Sequence, residues 1–400
     1  VSTAAPEPPT HLPGIDVLRA IACLWVVLFH VGRWWFGGHW YAFPAPHDAY
    51  HTLPLWLLHW FSRLGFHGVG LFLALSGFCL YYPLVRGRGV AHATLDLPLF
   101  ARRRAERILP AYYASMLLLV VLAAVPATRA VVFLPITGLD IALHLVLAHN
   151  LHPATLWTMN GAYWSLGLEA QLYLIFPLLV ALARRLGIGA IVALGFATSL
   201  AWMLVLRWAL GQPFSPEHHG VLHESPPARL AEFSVGMAAA AALAEGRSVP
   251  RWLLVPLAFL WVPASHLVQL GGGFQLPWDR PFNALSFGAL LLLAGQRPAE
   301  AWASPLPRTL AWIGGFSYSL YLVHQPLLLL LRSWIWQFSP SPAALALVGS
   351  ALSIAAGWLF FQLFEGPPQR WLARRKKSLR GGAGSSRQGA SPARASEFGA

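Results

Sequence analysis

GIDVLRAIACLWVVLFHVG, residues 14–32, is long and apolar enough to cross a bilayer, yet it carries Asp16, Arg19 and His30. Charged groups at membrane depth cost about 2.5–3.5 kcal/mol each on insertion scales. Asp16 and Arg19 are three residues apart, so they share a helical face and neutralise each other. His30 lies eleven residues beyond Arg19, close to three full turns, and returns to that face. One stripe of the helix is therefore ionisable and the rest apolar. Such a stripe is expected to face a polar cavity inside a helix bundle.

The chain as a whole fits that expectation. It is 56% hydrophobic and 11% charged, against roughly 25% charged in a soluble domain. Many long apolar runs follow one another, so the class is an all-α polytopic membrane protein. They leave no room for a large soluble domain. The first run holds charges and is followed by no small-residue cleavage site, so it does not read as a cleaved signal peptide. Cys23 and Cys79 both lie inside apolar runs, which speaks against a disulfide, and no metal-ligand spacing is present. The net charge of +13 sits in a few loops and the tail. In a membrane protein this is a topology signal and does not point to nucleic acid.

Residues 1–13 are polar and Pro-rich and are expected to be disordered, the membrane domain to cover 14–366, and the basic, Gly/Ser-rich tail 367–400 to be disordered. Beyond the first span, crossings are expected at about 66–85, 108–125, 163–183, 188–210, 228–244, 252–270, 281–296, 311–334 and 343–364. Residues 139–150 are apolar but short, which suits a re-entrant piece. If they do not cross, the basic clusters at 86–107, Arg184/Arg185, Arg247/Arg251 and Arg374/Arg375 all fall on one side. The positive-inside rule then gives ten crossings with both termini cytoplasmic. Trp34, Trp35, Trp40, Tyr41, Trp56 and Trp60 crowd residues 33–65, as an interfacial belt or a carbohydrate-facing surface. His47 and His51 are four apart, but no carboxylate pattern supports a metal.

Several constellations bear chemistry. Arg103, Arg104 and Arg107 belong to a dense basic run, and guanidinium forks match phosphate bidentately. The alternative is a topology anchor. In YWSLGLEAQLYLIFP, Glu169 lies about two turns into its span and Tyr173 one turn further. An imidazole at His30 and a carboxylate at Glu169 would form a base and its orienter. Tyr163, Trp164 and Ser165 open that span as candidate hydrogen-bond donors. Arg229 and Glu232 are three apart and read first as an internal ion pair. Ser317, Tyr318, Tyr321 and His324 follow the small pair Gly314/Gly315 and are placed on the same cavity. Ser76-Gly77 reads as a packing notch that also touches it. Neither GxSxG, HExxH nor a P-loop occurs.

DVLRAIACLWVVLFH, LFLALSGFCL, FARRRAERILPAYY, YWSLGLEAQLYLIFP, ARLAEFSVG, IGGFSYSLYLVHQP and FEGP, in that order, resemble the motifs of the membrane acyltransferase-3 family, in its stand-alone form. The resemblance implies a bacterial inner-membrane O-acyltransferase. Its donor would be cytoplasmic acetyl-CoA or another acyl-CoA, with no metal. The acceptor would be a hydroxyl of a carbohydrate or lipid-linked glycan, the envelope glycans and small molecules being left open, as are acyl length and oligomeric state. By motif position His30 is the catalytic histidine, Glu169 the carboxylate of the WSLxxE motif, and Arg104 and Arg107 the donor-associated RxxR pair. Cys79 and Tyr81 depart from the aliphatic residues usual after SGF and are placed facing lipid or packing. A tunnel is expected to join the arginines to His30. The competing class is a transporter, which explains buried charge equally well but not the arginine cluster.

Overall fold

The computed structural model describes residues 8–35, 57, 61–132, 134–210, 216–261, 279–335 and 342–371. Among them every regular element is helical. The first is α1 (Pro13–Trp35), whose 23 residues span about 34 Å, slightly more than a hydrocarbon core. A 3₁₀ turn at Leu64–Phe66 leads into α2 (His67–Val85). This helix is apolar on all sides and is accordingly buried at the centre of the bundle. The next is α3 (Leu97–Ala124), capped by Asp96, whose carboxylate accepts from Leu99 N at 2.9 Å. A capping box between Thr137 and Asp140 starts α4 (Gly138–Leu145). At eight residues, about 12 Å, α4 is too short to cross a bilayer.

Two long helices follow, α5 (Trp164–Leu186) and α6 (Ile188–Leu210), hinged at Gly187, whose φ of 83° suits glycine. Then come α7 (Pro216–His223), α8 (Pro226–Ala244), α9 (Arg251–Ala258) and α10 (Asp279–Gly295). The chain continues through α11 (Pro305–Gly315), α12 (Ser317–Ile335) and α13 (Pro342–Phe360), which runs on into a π turn at Phe361–Glu365. The expected crossing at 311–334 is thus two elements broken at Phe316, just after the weak helix formers Gly314 and Gly315. Six described segments are long and apolar enough to span a membrane, where the sequence suggested ten crossings. Residues 262–270 of the expected crossing at 252–270 lie outside the described residues, as do His47, His51, Trp40, Tyr41, Trp56, Trp60 and the tail beyond 371. Of the N-terminal segment, Pro8 and Pro9 offer their carbonyls to Arg86 and Tyr82 at 2.9 Å each.

Packing explains how polar stripes end up inside. Helix α2 lies tightly against α8, and a Cβ on Gly236 would collide with the Ala74 carbonyl, one on Gly77 with that of Phe233. Helix α1 packs against α11, α2, α12 and α13. Two apolar clusters result. One joins α2, α5, α8 and α10 through Leu71, Phe78, Phe176, Phe233 and Phe287. The other joins α1, α3 and α12 through Val26, Val27, Tyr112 and Tyr321. Phe72 and Trp164 touch both. Large apolar side chains such as Leu117, Leu174 and Trp208 point outward from α3, α5 and α6, as hydrocarbon surroundings require.

Candidate active site

The seam between the two clusters holds a cavity of about 240 Å³. Helix α1 gives it Arg19, α2 gives Ser76 and Cys79, α3 gives Arg104 and Arg107, α5 gives Ser165, Glu169 and Tyr173, and α12 gives Ser317, Tyr318 and Tyr321. The expected convergence of polar residues from separate helices is therefore present. Arg19 donates to Asp16 at 2.5 Å and to Cys79 Sγ at 2.9 Å, and His11 meets the second Asp16 oxygen at 2.6 Å. Glu169 accepts from Ser76 Oγ at 2.7 Å and from the Tyr173 hydroxyl. Arg104 and Arg107, one turn apart, face this wall, and Arg104 Nε is buried with no hydrogen-bond partner among the described residues. Asp16 neutralises Arg19, and Arg104 and Arg107 together outnumber Glu169, which leaves the cavity with a positive excess suited to an anion.

Arg103 does not join them. It is exposed and outside the lining, because α3 turns by about 100° per residue and only the i, i+3 pair shares the inner face.

His30 is buried on α1, about 16 Å along the axis from Arg19. It does not line the cavity. Its lining includes Val69, Phe72, Ser165 and Tyr321, and the Phe72 and Tyr321 rings meet edge to face at 5.8 Å. The lining does not include His30, so the expected tunnel from the arginines to His30 is not seen as one continuous cavity. Nor are His30 and Glu169 brought together. Ser76 and Tyr173 occupy the Glu169 carboxylate, while His30 Nδ1 lies 3.0 Å from the Val26 carbonyl and 3.1 Å from His324 Nε2.

The other expected residues fall into separate groups. Tyr163 is buried away from the cavity, its hydroxyl 2.6 Å from Ser115 Oγ. Trp164 stacks under Arg229, whose guanidinium carbon is 5.8 Å from the ring centroid. Arg229 and Glu232 form the expected ion pair at 3.1 Å, joined by Glu224 and, through it, Arg280. Ser165 Oγ meets the Tyr321 hydroxyl at 2.6 Å at the end of the cavity. Ser317 donates to Gly314 O at 2.9 Å and Tyr318 to Ile108 O at 3.1 Å, tying α12 to α11 and α3. No cluster of three or more metal-ligating groups occurs among the described residues.

Three residues were misjudged or passed over. Cys79 faces the cavity and Arg19, not lipid or apolar packing. Its position three residues after Ser76 puts it on the same helical face, a signal the sequence did contain. Outside the spans, His144 and His149 stack in parallel at 3.9 Å, with His149 donating to the Tyr163 carbonyl at 2.9 Å. Burial, reinforced by His144, pushes the His149 imidazole down to about 3.

Comparison with known proteins gives the family. A family model described as an acyltransferase domain matches residues 12–362. The chain is similar to the O-acetyltransferase OatA of Staphylococcus aureus (strain NCTC 8325 / PS 47), 25% identical over 357 residues, covering 82% of this chain and 52% of that protein. It is also similar to the putative O-acetyltransferase SACOL0978 of Staphylococcus aureus (strain COL), 22% identical over 404 residues, covering 89% of this chain and 57% of that protein. The chain thus spans about half the length of the curated relatives it matches. No solved structure matches it.

Proposed function

Because the chain belongs to this acyltransferase family, matched over residues 12–362, we propose that it transfers an acyl group from acyl-coenzyme A to a hydroxyl of a carbohydrate or lipid-linked glycan. The observation that carries the reading is the cavity itself: an arginine pair at one wall, a polar lining, and a buried imidazole just past the far end. Arg104 and Arg107 bind the donor's phosphates at the cytoplasmic face of a bacterial inner membrane. The narrow pantetheine arm lies along Cys79, Ser76 and Glu169. Asp16 and His30 are fourteen residues apart, an axial rise of about 21 Å, which an extended arm covers in large part without its anionic head entering the bilayer.

At the far end His30 removes the acceptor's hydroxyl proton as the oxygen attacks the thioester carbonyl. The new C–O bond forms, the C–S bond breaks and coenzyme A leaves as its thiol. Ser165 and Tyr321 are the hydroxyls placed to steady the oxyanion. Glu169 acts as a positioning carboxylate for Ser76 and Tyr173 on the cavity wall. The Phe72–Tyr321 layer has to part for the two substrates to meet. A transporter reading leaves the arginine pair without a task.

The test is mass spectrometry of envelope glycans from cells carrying the wild type or His30→Ala at matched levels of folded protein. Loss of O-acyl groups in the variant is expected. Acylation that persists removes His30 from the reaction.

A further inference from the structure

We infer that His324 is a positioning residue that locks His30 in the tautomer whose Nε2 carries the lone pair. The inference rests on the reading of His30 as the base. It follows from four atoms. His324 Nδ1 lies 2.8 Å from the Tyr321 carbonyl and His30 Nδ1 lies 3.0 Å from the Val26 carbonyl. A carbonyl oxygen only accepts, so both Nδ1 atoms carry hydrogen. A neutral His324 then has a lone pair on Nε2, which faces His30 Nδ1 at 3.1 Å and shares the single hydrogen there with the Val26 carbonyl in a three-centre bond. The proton on His30 is thereby held at Nδ1, and Nε2 is left as its basic nitrogen.

The sequence builds the support for His324. Pro326 has no N–H, so the carbonyl of Leu322, four residues earlier, lacks its helical donor. Asn160 Nδ2 donates to that carbonyl instead, at 2.8 Å. On the same turn the Tyr321 hydroxyl donates to the Ala162 carbonyl at 3.0 Å. The loop before α5 therefore grips α12 in the turn just before His324, which is itself fully buried. When His30 takes up a proton, Nδ1–H becomes a cationic donor and its bond to the His324 lone pair strengthens. An imidazole does this without bringing a negative charge into the bundle, which a carboxylate at that place would.

The test uses full-length protein in membranes containing the host's own glycans. Release of coenzyme A thiol from acetyl-CoA is measured, with membranes lacking the protein as the blank and His30→Ala membranes assayed beside the other variants. His324→Phe keeps the ring but not the acceptor, and kcat is expected to fall about 100-fold or more, with KM for acetyl-CoA unchanged. His324→Gln places an amide oxygen near the lost Nε2 and is expected to recover to within about tenfold of wild type. Should His324→Phe fail to fold, His324→Asn replaces it, since Asn still reaches the Tyr321 carbonyl but is too short for His30. Equal activity in the reaching and non-reaching variants, or a loss confined to KM, overturns the positioning role. An active His30→Ala overturns the base reading itself, whereas an inactive His30→Ala beside a fully active His324→Phe overturns the positioning role alone.

Discussion

Replacing Arg104 by Ala removes from the cavity a guanidinium whose buried Nε has no hydrogen-bond partner among the described residues, while Arg103→Ala removes an exposed one outside the lining. The two side chains are adjacent and equally charged, so the pair separates a shaped phosphate site from a diffuse basic patch. A hydrogen bond to a charged group contributes about 1.5–3 kcal/mol, which corresponds to a donor Kd weaker by about 10- to 150-fold. With acetyl-CoA at about 100 times the wild-type Kd, the wild type gains about 2.7 kcal/mol of stability. At the same concentration Arg104→Ala retains about 0.3–1.4 kcal/mol of that gain, and Arg103→Ala all of it. The assay is thermal unfolding of the detergent-purified protein with and without acetyl-CoA. If Arg103→Ala loses the shift as fully as Arg104→Ala, or Arg104→Ala keeps it whole, the cavity is not the donor site.

Other consequences are open to simpler measurements. N-Ethylmaleimide should label Cys79, which lines the cavity, and spare Cys23, which is fully buried and donates to the Ser317 carbonyl; acetyl-CoA should slow the labelling. Peptide mapping reads this directly, and labelling that ignores acetyl-CoA would argue against a donor arm beside Cys79. Gly236→Ala forces α2 and α8 apart at the Ala74 carbonyl, and should destabilise by about 1–3 kcal/mol, seen as a lower Tm without change in the donor-induced shift. His149 is held neutral in the fold, so its contribution is complete above the ordinary histidine value and is lost as pH falls from about 6.5 toward 3. The Tm should drop across that window by up to about 1.4 kcal/mol of stability per pH unit, and more shallowly in His149→Gln, which keeps a donor for Tyr163; an unchanged slope would remove His149 from the effect.

Helical spacing put Asp16, Arg19 and His30 on one face of α1, and of the three Arg19 lines the cavity, Asp16 pairs with it, and His30 is buried outside the lining. The same arithmetic foretold the Arg104/Arg107 pair and, applied more widely, would have placed Arg103 outside and Cys79 inside. What spacing along one helix does not reveal is which residues of two helices meet. Glu169 and His30 were expected at similar depth, yet Glu169 is held by Ser76 and Tyr173. His30 meets His324 instead, across 294 residues of chain. The Phe72–Tyr321 contact was hidden for the same reason: Tyr321 was placed on the cavity, but Phe72 looks like an ordinary apolar position on its own helix. Glu224 and Arg280 join the Arg229–Glu232 pair from a turn and a helix that no motif linked to it.

The edge-to-face contact of Phe72 with Tyr321 also bears on waste. On the proposed donor route, a thioester loaded from the arginine side would rest beside these two rings before an acceptor arrives. Thinning them, as in Phe72→Ala, would then be expected to raise hydrolysis of acetyl-CoA relative to transfer.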